Sequence, residues 1–197
     1  MLSAAALLNA TAQILSETSS VSFSLSDVSE RSGVNVAMIK YHFGNKEGLL
    51  TALLERDANN AIEALQSLVA LDCPAEKKLQ IHIQGIINAY SKFPYLNKLI
   101  HYLAELGSPG ARQLVTDVFI QPMIAAYRAI VEQGVREGSL RPINPGLLYY
   151  AIVGAADHIF HASYSVRSTL GIDDIDASTK DEYTALLQAV FIKGLKP

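Results

Sequence analysis

Apolar residues recur at three- and four-residue spacing along most of this 197-residue chain, while runs that alternate apolar with polar residues are nearly absent. The first pattern lays a single apolar stripe along a helix, and the second is what a half-buried strand requires. The chain is therefore predicted to be all-α. Breaker clusters then divide it: the polar run at 17–20, Gly33, Gly44-Asn45, Asp72-Cys73-Pro74, Phe93-Pro94, Gly107 to Gly110, Arg141-Pro142, and Gly171 with its acidic neighbours. Helices are expected over about nine segments: 3–17, 25–32, 36–43, 46–70, 75–92, 95–106, 110–137, 145–169 and 178–194. Pro122 falls inside the seventh and is expected to kink it.

The stretch from 24 to 50 has the most specific local chemistry. Ser24 stands three residues before Asp27, the spacing of a capping box, and Gly33 can end the short helix that follows. Asn35 can cap a third helix running to Phe43, and Gly44-Asn45 breaks it and caps the next from Lys46. Two short helices joined by a tight glycine-containing turn make a helix-turn-helix. Phe43 and Leu50 can pack its second helix against the fourth, leaving polar residues on the other face free to enter a major groove.

The string SLSDVSERSGVNVAMIKYHFGNKEGLL, residues 24–50, resembles the helix-turn-helix of the TetR family of transcriptional regulators. The resemblance implies a DNA-binding head at 1–46 and a ligand-binding and dimerisation body at 47–197. It also implies that Ser24 meets a phosphate, that Asn35, Val36, Ala37 and Met38 face base edges, and that Tyr41, His42 and Lys46 hold the DNA backbone. Where the family usually has tyrosine, this chain has Lys40, which adds a cation to the expected interface. The implied activity is repression by a homodimer on a palindromic operator whose half-site centres lie about 34–36 Å apart, or a multiple of it. A small-molecule effector binding the body would shift the long fourth helix and release the DNA.

Charge runs against this reading. The chain carries a net charge of −3, and its first 55 residues hold Arg31, Lys40 and Lys46 against Glu17, Asp27, Glu30, Glu47 and Glu55. DNA binding must then rest on a few well-placed cations and backbone amides. A dimer presenting Lys40 and Lys46 twice brings four cations to the DNA, so the salt dependence is expected to be shallow.

In the body, 50% hydrophobic and only 18% charged residues overall suggest that more surface is buried than one chain provides. The small run Gly154-Ala155-Ala156, with Leu186, Leu187, Val190 and Phe191, fits the family's pairing of the last two helices with their copies. Tyrosines and histidines offer polar tips on apolar bodies, and Tyr90, His101, Tyr102, Met123, Tyr127, Asp157, His158 and His161 are the candidate effector ligands. The effector is expected to be uncharged or weakly acidic and partly apolar. Asp157, His158 and His161, within one helical turn, could bind a metal, orient the effector, or form a satisfied buried pair. A metal- or ligand-binding bundle, possibly enzymatic, is the alternative function, and a DNA-free adaptor or an activator is another; no nucleophile turn supports catalysis. The single Cys73 forms no internal disulfide, and no cofactor is expected. No run of about 18 uninterrupted apolar residues occurs, and the first residues lack a basic lead, so neither a membrane partner nor secretion is expected and the protein reads as cytoplasmic.

Overall fold

The computed structural model describes residues 2–18 and 20–197. The helices are α1 (Leu2–Thr18), α2 (Leu25–Ser32), α3 (Ala37–Phe43), α4 (Lys46–Ala70), α5 (Ala75–Lys92) and α6 (Leu96–Leu106). Then follow α7 (Pro109–Val115), a π turn (Thr116–Ile120), α8 (Gln121–Glu137), α9 (Pro145–His161), α10 (Ser163–Leu170) and α11 (Ala177–Gly194). No strand occurs among the described residues. Taking α7, the π turn and α8 as the one 29-residue rod they form gives ten helices among the described residues.

Two irregularities in the helices have local causes. The turn just before Pro122, where a kink is expected, opens to π spacing. Proline has no N–H to donate and its ring crowds the carbonyl four residues back, so the wider turn relieves both. The helix expected over 145–169 breaks at Ala162, whose backbone leaves helical values at φ −97° and ψ 39°. Neither glycine nor proline stands there. The Ser165 hydroxyl donates to the Ala162 carbonyl at 3.0 Å, and α10 starts from that turn.

The chain forms two compact units, residues 1–61 with 93–121, and residues 62–92 with 122–197. In the first, Leu7, Ala10 and Ile14 of α1, Val28 of α2, Ile39 of α3 and Leu49 of α4 make a closed apolar cluster. Phe23, Leu25, Val34, Met38 and Phe43 pack around it. In the second, α5 packs on α9 and α11, burying Leu79, Ile83 and Ile87. The buried Lys78 closes the α4–α5 turn: its ammonium donates to the Val69 carbonyl at 2.6 Å and to Gln133 Oε1 at 2.8 Å. By length and composition the Pro109–Glu137 rod could cross a membrane. Here Val115, Phe119, Met123, Tyr127 and Ile130 are buried on one side of it, as in a core helix.

Gly44 and Gly48 set the turn from α3 into α4. Gly44 takes a positive φ of 78°, which L side chains resist. A Cβ on Gly48 would lie 1.9 Å from the Phe43 carbonyl oxygen, a clash with backbone that no rotamer relieves. Gly48→Ala is expected to cost about 2 kcal/mol or more. Gly85 lies exposed in α5 with open space around it, so Gly85→Ala should stabilise by about 0.5–1 kcal/mol. Urea unfolding of the two variants checks the pair of opposite signs.

His82, buried in the second unit, is hydrogen-bonded through Nε2 to the Tyr127 hydroxyl at 3.0 Å. Burial pushes its pKa down to about 4, so the folded protein keeps it neutral where an unfolded chain would protonate it. The unfolded state then binds more protons between about pH 6.5 and 4. Stability from this group is complete above pH 6.5 and is lost as pH falls toward 4, on the order of 3 kcal/mol in all. Denaturant midpoints measured from pH 7 to 4 should fall for the wild type and fall less for His82→Phe.

Candidate functional site

The second helix of the helix-turn-helix is only seven residues long, and its two sides are sharply divided. Val36, Ala37, Lys40 and Tyr41 are exposed, Tyr41 at 78% and Val36 at 43%. At helical spacing these positions form one stripe. Ile39 is fully buried, Met38 and Phe43 pack against the apolar cluster, and His42 is half-buried, hydrogen-bonded through Nε2 to Ser3 of α1 at 2.8 Å. Met38 and His42, expected to meet bases and backbone, thus lie on the inner side of α3.

Capping fixes how α2 and α3 begin. The Ser24 hydroxyl oxygen accepts from the Asp27 N–H at 3.1 Å while Asp27 Oδ2 accepts from the Ser24 N–H at 2.8 Å. The Ser24 hydroxyl proton stays available to a phosphate oxygen. Asn35 Oδ1 accepts from the Ala37 N–H at 2.8 Å, and Asn45 Oδ1 accepts from the Gly48 N–H at 2.9 Å. Asn35 is exposed at the start of the stripe, with its amide NH2 pointing away from that bond.

The cations of the head are unequally free. Arg31 pairs with Glu17 at 2.5 Å. The Lys46 ammonium donates to the carbonyls of Val21 (3.0 Å) and Phe23 (2.7 Å) and sits 4.0 Å from the centre of the Phe23 ring. Partial burial there lowers its pKa, against the pull of Asp27. It braces the loop leading into α2. Among the described residues up to 55, Lys40 is the one cation with no side-chain or carbonyl partner.

Within the same unit, α4 is clasped by residues far away in sequence. Glu47 takes two bonds from Ser108, the N-cap of α7: from its N–H at 2.9 Å and its hydroxyl at 2.6 Å. Asp57, buried, accepts from the Tyr95 hydroxyl at 2.5 Å and from Arg56, whose other nitrogen reaches Asn9 of α1 at 2.8 Å. Sequence reasoning missed all of these. Partners 61, 38 and 47 residues apart leave no spacing signal.

The candidate effector ligands are divided between the two units. His101 and Tyr102 belong to the first unit and the rest to the second. His158 is exposed on α9 and takes no part in a cluster with Asp157 and His161. Asp157 Oδ1 and His161 Nε2 lie 3.0 Å apart, yet both are buried and neither has a well-aligned hydrogen bond. Tyr90 lies close by: burial raises its pKa strongly, and the Asp157 charge adds to the effect. Its ring is 6.4 Å from Phe160, and the Tyr127 and Tyr149 rings meet edge-on at 5.7 Å. Met123 is buried on α8 with Tyr127. Among the described residues no three of His, Cys, Asp or Glu converge as a metal site.

The chain matches the family model described as "Bacterial regulatory proteins, tetR family" over residues 7–53 and "Tetracyclin repressor-like, C-terminal domain" over 72–196. It is 21% identical over 173 residues to the HTH-type transcriptional regulator RutR of Escherichia coli K12, spanning 88% of this chain and 81% of that protein. Its fold is similar to that of PfmR, a TetR family transcriptional regulator from Thermus thermophilus (TM-score 0.76, 16% identity, 97% and 99% of the two chains). It is similar also to the transcriptional regulator FadR from Bacillus subtilis in complex with stearoyl-CoA (TM-score 0.71, 17% identity, 93% and 97%). With the sequence signature, the exposed stripe on α3 and both halves of the chain matched, this protein belongs to the TetR family and is a DNA-binding transcriptional regulator with a ligand-binding C-terminal domain.

Proposed function

We propose that the protein is a repressor that holds a palindromic operator as a homodimer and lets go when a small molecule binds its body. The observation that carries this is the exposed stripe Asn35, Val36, Ala37, Lys40 and Tyr41, presented by a helix whose opposite side is buried. Asn35, Val36 and Ala37 lead α3 into the major groove. Ser24, Lys40 and Tyr41 hold phosphates. Met38, His42 and Lys46 act chiefly by keeping α3 and its approach loop in place. In this division the DNA-binding head is 1–46 and the effector-binding and dimerising body is 47–197.

The dimer forms through α9 and α11. Leu147, Tyr150, Gly154 and His158 on α9, and Leu186 and Val190 on α11, are exposed at helical spacing, an apolar face that a second copy would cover. The effector meets Tyr90, Tyr127, Asp157 and His161, where neutral His82 and four aromatic rings favour an uncharged or weakly acidic, partly apolar molecule. The similar FadR structure holds stearoyl-CoA, an apolar chain on a polar head. Its signal reaches the head through the Glu47–Ser108 and Asp57–Tyr95 clasps on α4, and only insofar as the effector binds the two states unequally. The protein acts in the cytoplasm, where its DNA is.

Binding-site selection on random double-stranded DNA at low salt tests this reading. A palindromic motif is expected, bound with a log–log salt slope of about −2 for the two Lys40 ammonium groups of a dimer at about −0.9 each. An asymmetric motif would contradict the dimer, a slope as steep as about −8 would contradict the sparse electrostatic contact, and no enrichment would contradict DNA binding by the free protein.

A further inference from the structure

We propose that the open cleft beside the start of α9 receives the acidic α10–α11 loop of a second copy of this chain, extending the homodimer beyond its helical face. The proposal rests on the dimer reading above. The cleft holds about 470 Å³, and its walls are apolar, formed by Val131 and Val135 of α8 and by Pro142, Ile143 and Pro145. Arg128, Glu132 and Arg136 follow one another along α8 at its rim. Among the described residues neither arginine has an acidic partner, so one unit of positive charge stands uncompensated over an apolar floor.

Such a cleft suits a segment that alternates apolar and acidic side chains. Residues 171–176 read Gly-Ile-Asp-Asp-Ile-Asp. Asp176 is committed to capping α11, accepting from the Thr179 N–H at 2.8 Å. Asp173 is held only by Arg167 in a pair exposed at 78% and 69%, which water and salt weaken. Asp174 is exposed with no partner among the described residues. Ile172 and Ile175 are half-buried on either side of the Asp173-Asp174 pair.

Placement makes the match reciprocal. Arg141, just ahead of α9, donates to the carbonyls of Leu195 (2.8 Å) and Gly194 (3.1 Å) at the end of α11. The Tyr183 hydroxyl, early in α11, donates to Ala155 in the second half of α9 at 2.5 Å. The two helices therefore run antiparallel, with the cleft at one end of the pair and the acidic loop at the other. The exposed face of Leu147, Tyr150, Leu186 and Val190 lies between. A two-fold axis through that face and across the helices sets each cleft against the partner's loop, twice, and the contact closes at two copies.

Sedimentation equilibrium of the full chain at low and high salt tests this, with Arg128→Glu/Arg136→Glu, with Asp173→Arg/Asp174→Arg, and with all four changes together. All the changed side chains are exposed, and circular dichroism and thermal melting confirm that each variant is folded. Each charge reversal alone should weaken dimerisation about tenfold or more, and the four-fold exchange should restore it to within about threefold of wild type. Reversals that leave the dimer unchanged, or losses that add in the exchange, would overturn the loop–cleft contact while leaving the α9–α11 dimer standing. A wild type that stays monomeric at all concentrations would instead overturn the dimer itself. An octanoate titration covers the other occupant: saturable binding lost in Arg128→Glu/Arg136→Glu, with dimerisation unaffected, would make the cleft a small-molecule site.

Discussion

Everything the head does depends on burying one side of a seven-residue helix. A helix this short has no stability of its own in water, because nucleation costs more than two turns of hydrogen bonds return. α3 exists because Ile39, Met38 and Phe43 dock on Leu7, Ile14, Val28 and Leu49. Burying Ile39 alone contributes about 1.5–3 kcal/mol. The same docking determines what is left outside. With 38, 39, 42 and 43 turned inward, Val36, Ala37, Lys40 and Tyr41 are outward by geometry. The buried scaffold and the proposed recognition surface are two sides of one helix, so neither can be changed without reference to the other.

The charge conflict in the head resolves in the same terms. Three cations against five acids looks poor for a DNA-binding surface when summed, but the sum hides the placement. Arg31 is taken up by Glu17, Asp27 caps α2, Glu47 is held by Ser108, and Lys46 is turned to carbonyls. What remains on the stripe is Lys40, in the position where a tyrosine is usual. Glu47 matters for a second reason. It ties the first turn of α4, which follows α3 after a two-residue break, to the N-cap of α7. A shift of α7 therefore acts next to the recognition helix without having to travel the length of α4.

The fold class, the helix-turn-helix, its caps at Ser24, Asn35 and Asn45, and the left-handed Gly33 were all legible in the sequence because each is encoded within a few residues. The face of Met38 was not. A seven-residue helix shows too little periodicity to say which of Met38 and Ile39 leads inward, and tertiary packing turned both in. Nor were the Asp57–Tyr95 and Lys78–Val69 contacts, which exist only once distant segments meet. The break at Ala162 lacks any glycine or proline to mark it, and His158, one residue from Asp157, faces outward because α9 places the two on different sides.

The most direct test of the two-sided α3 is an alanine scan from Asn35 to Phe43, keeping Ala37 as Ala37→Ser, with operator affinity and unfolding free energy measured separately for each variant. The account predicts that Lys40→Ala and Tyr41→Ala lose affinity with stability unchanged, while Met38→Ala and Ile39→Ala lose about 2–5 kcal/mol of stability and keep their affinity when folded. Affinity lost at Met38 without loss of stability, or DNA binding indifferent to Lys40 and Tyr41, would contradict it.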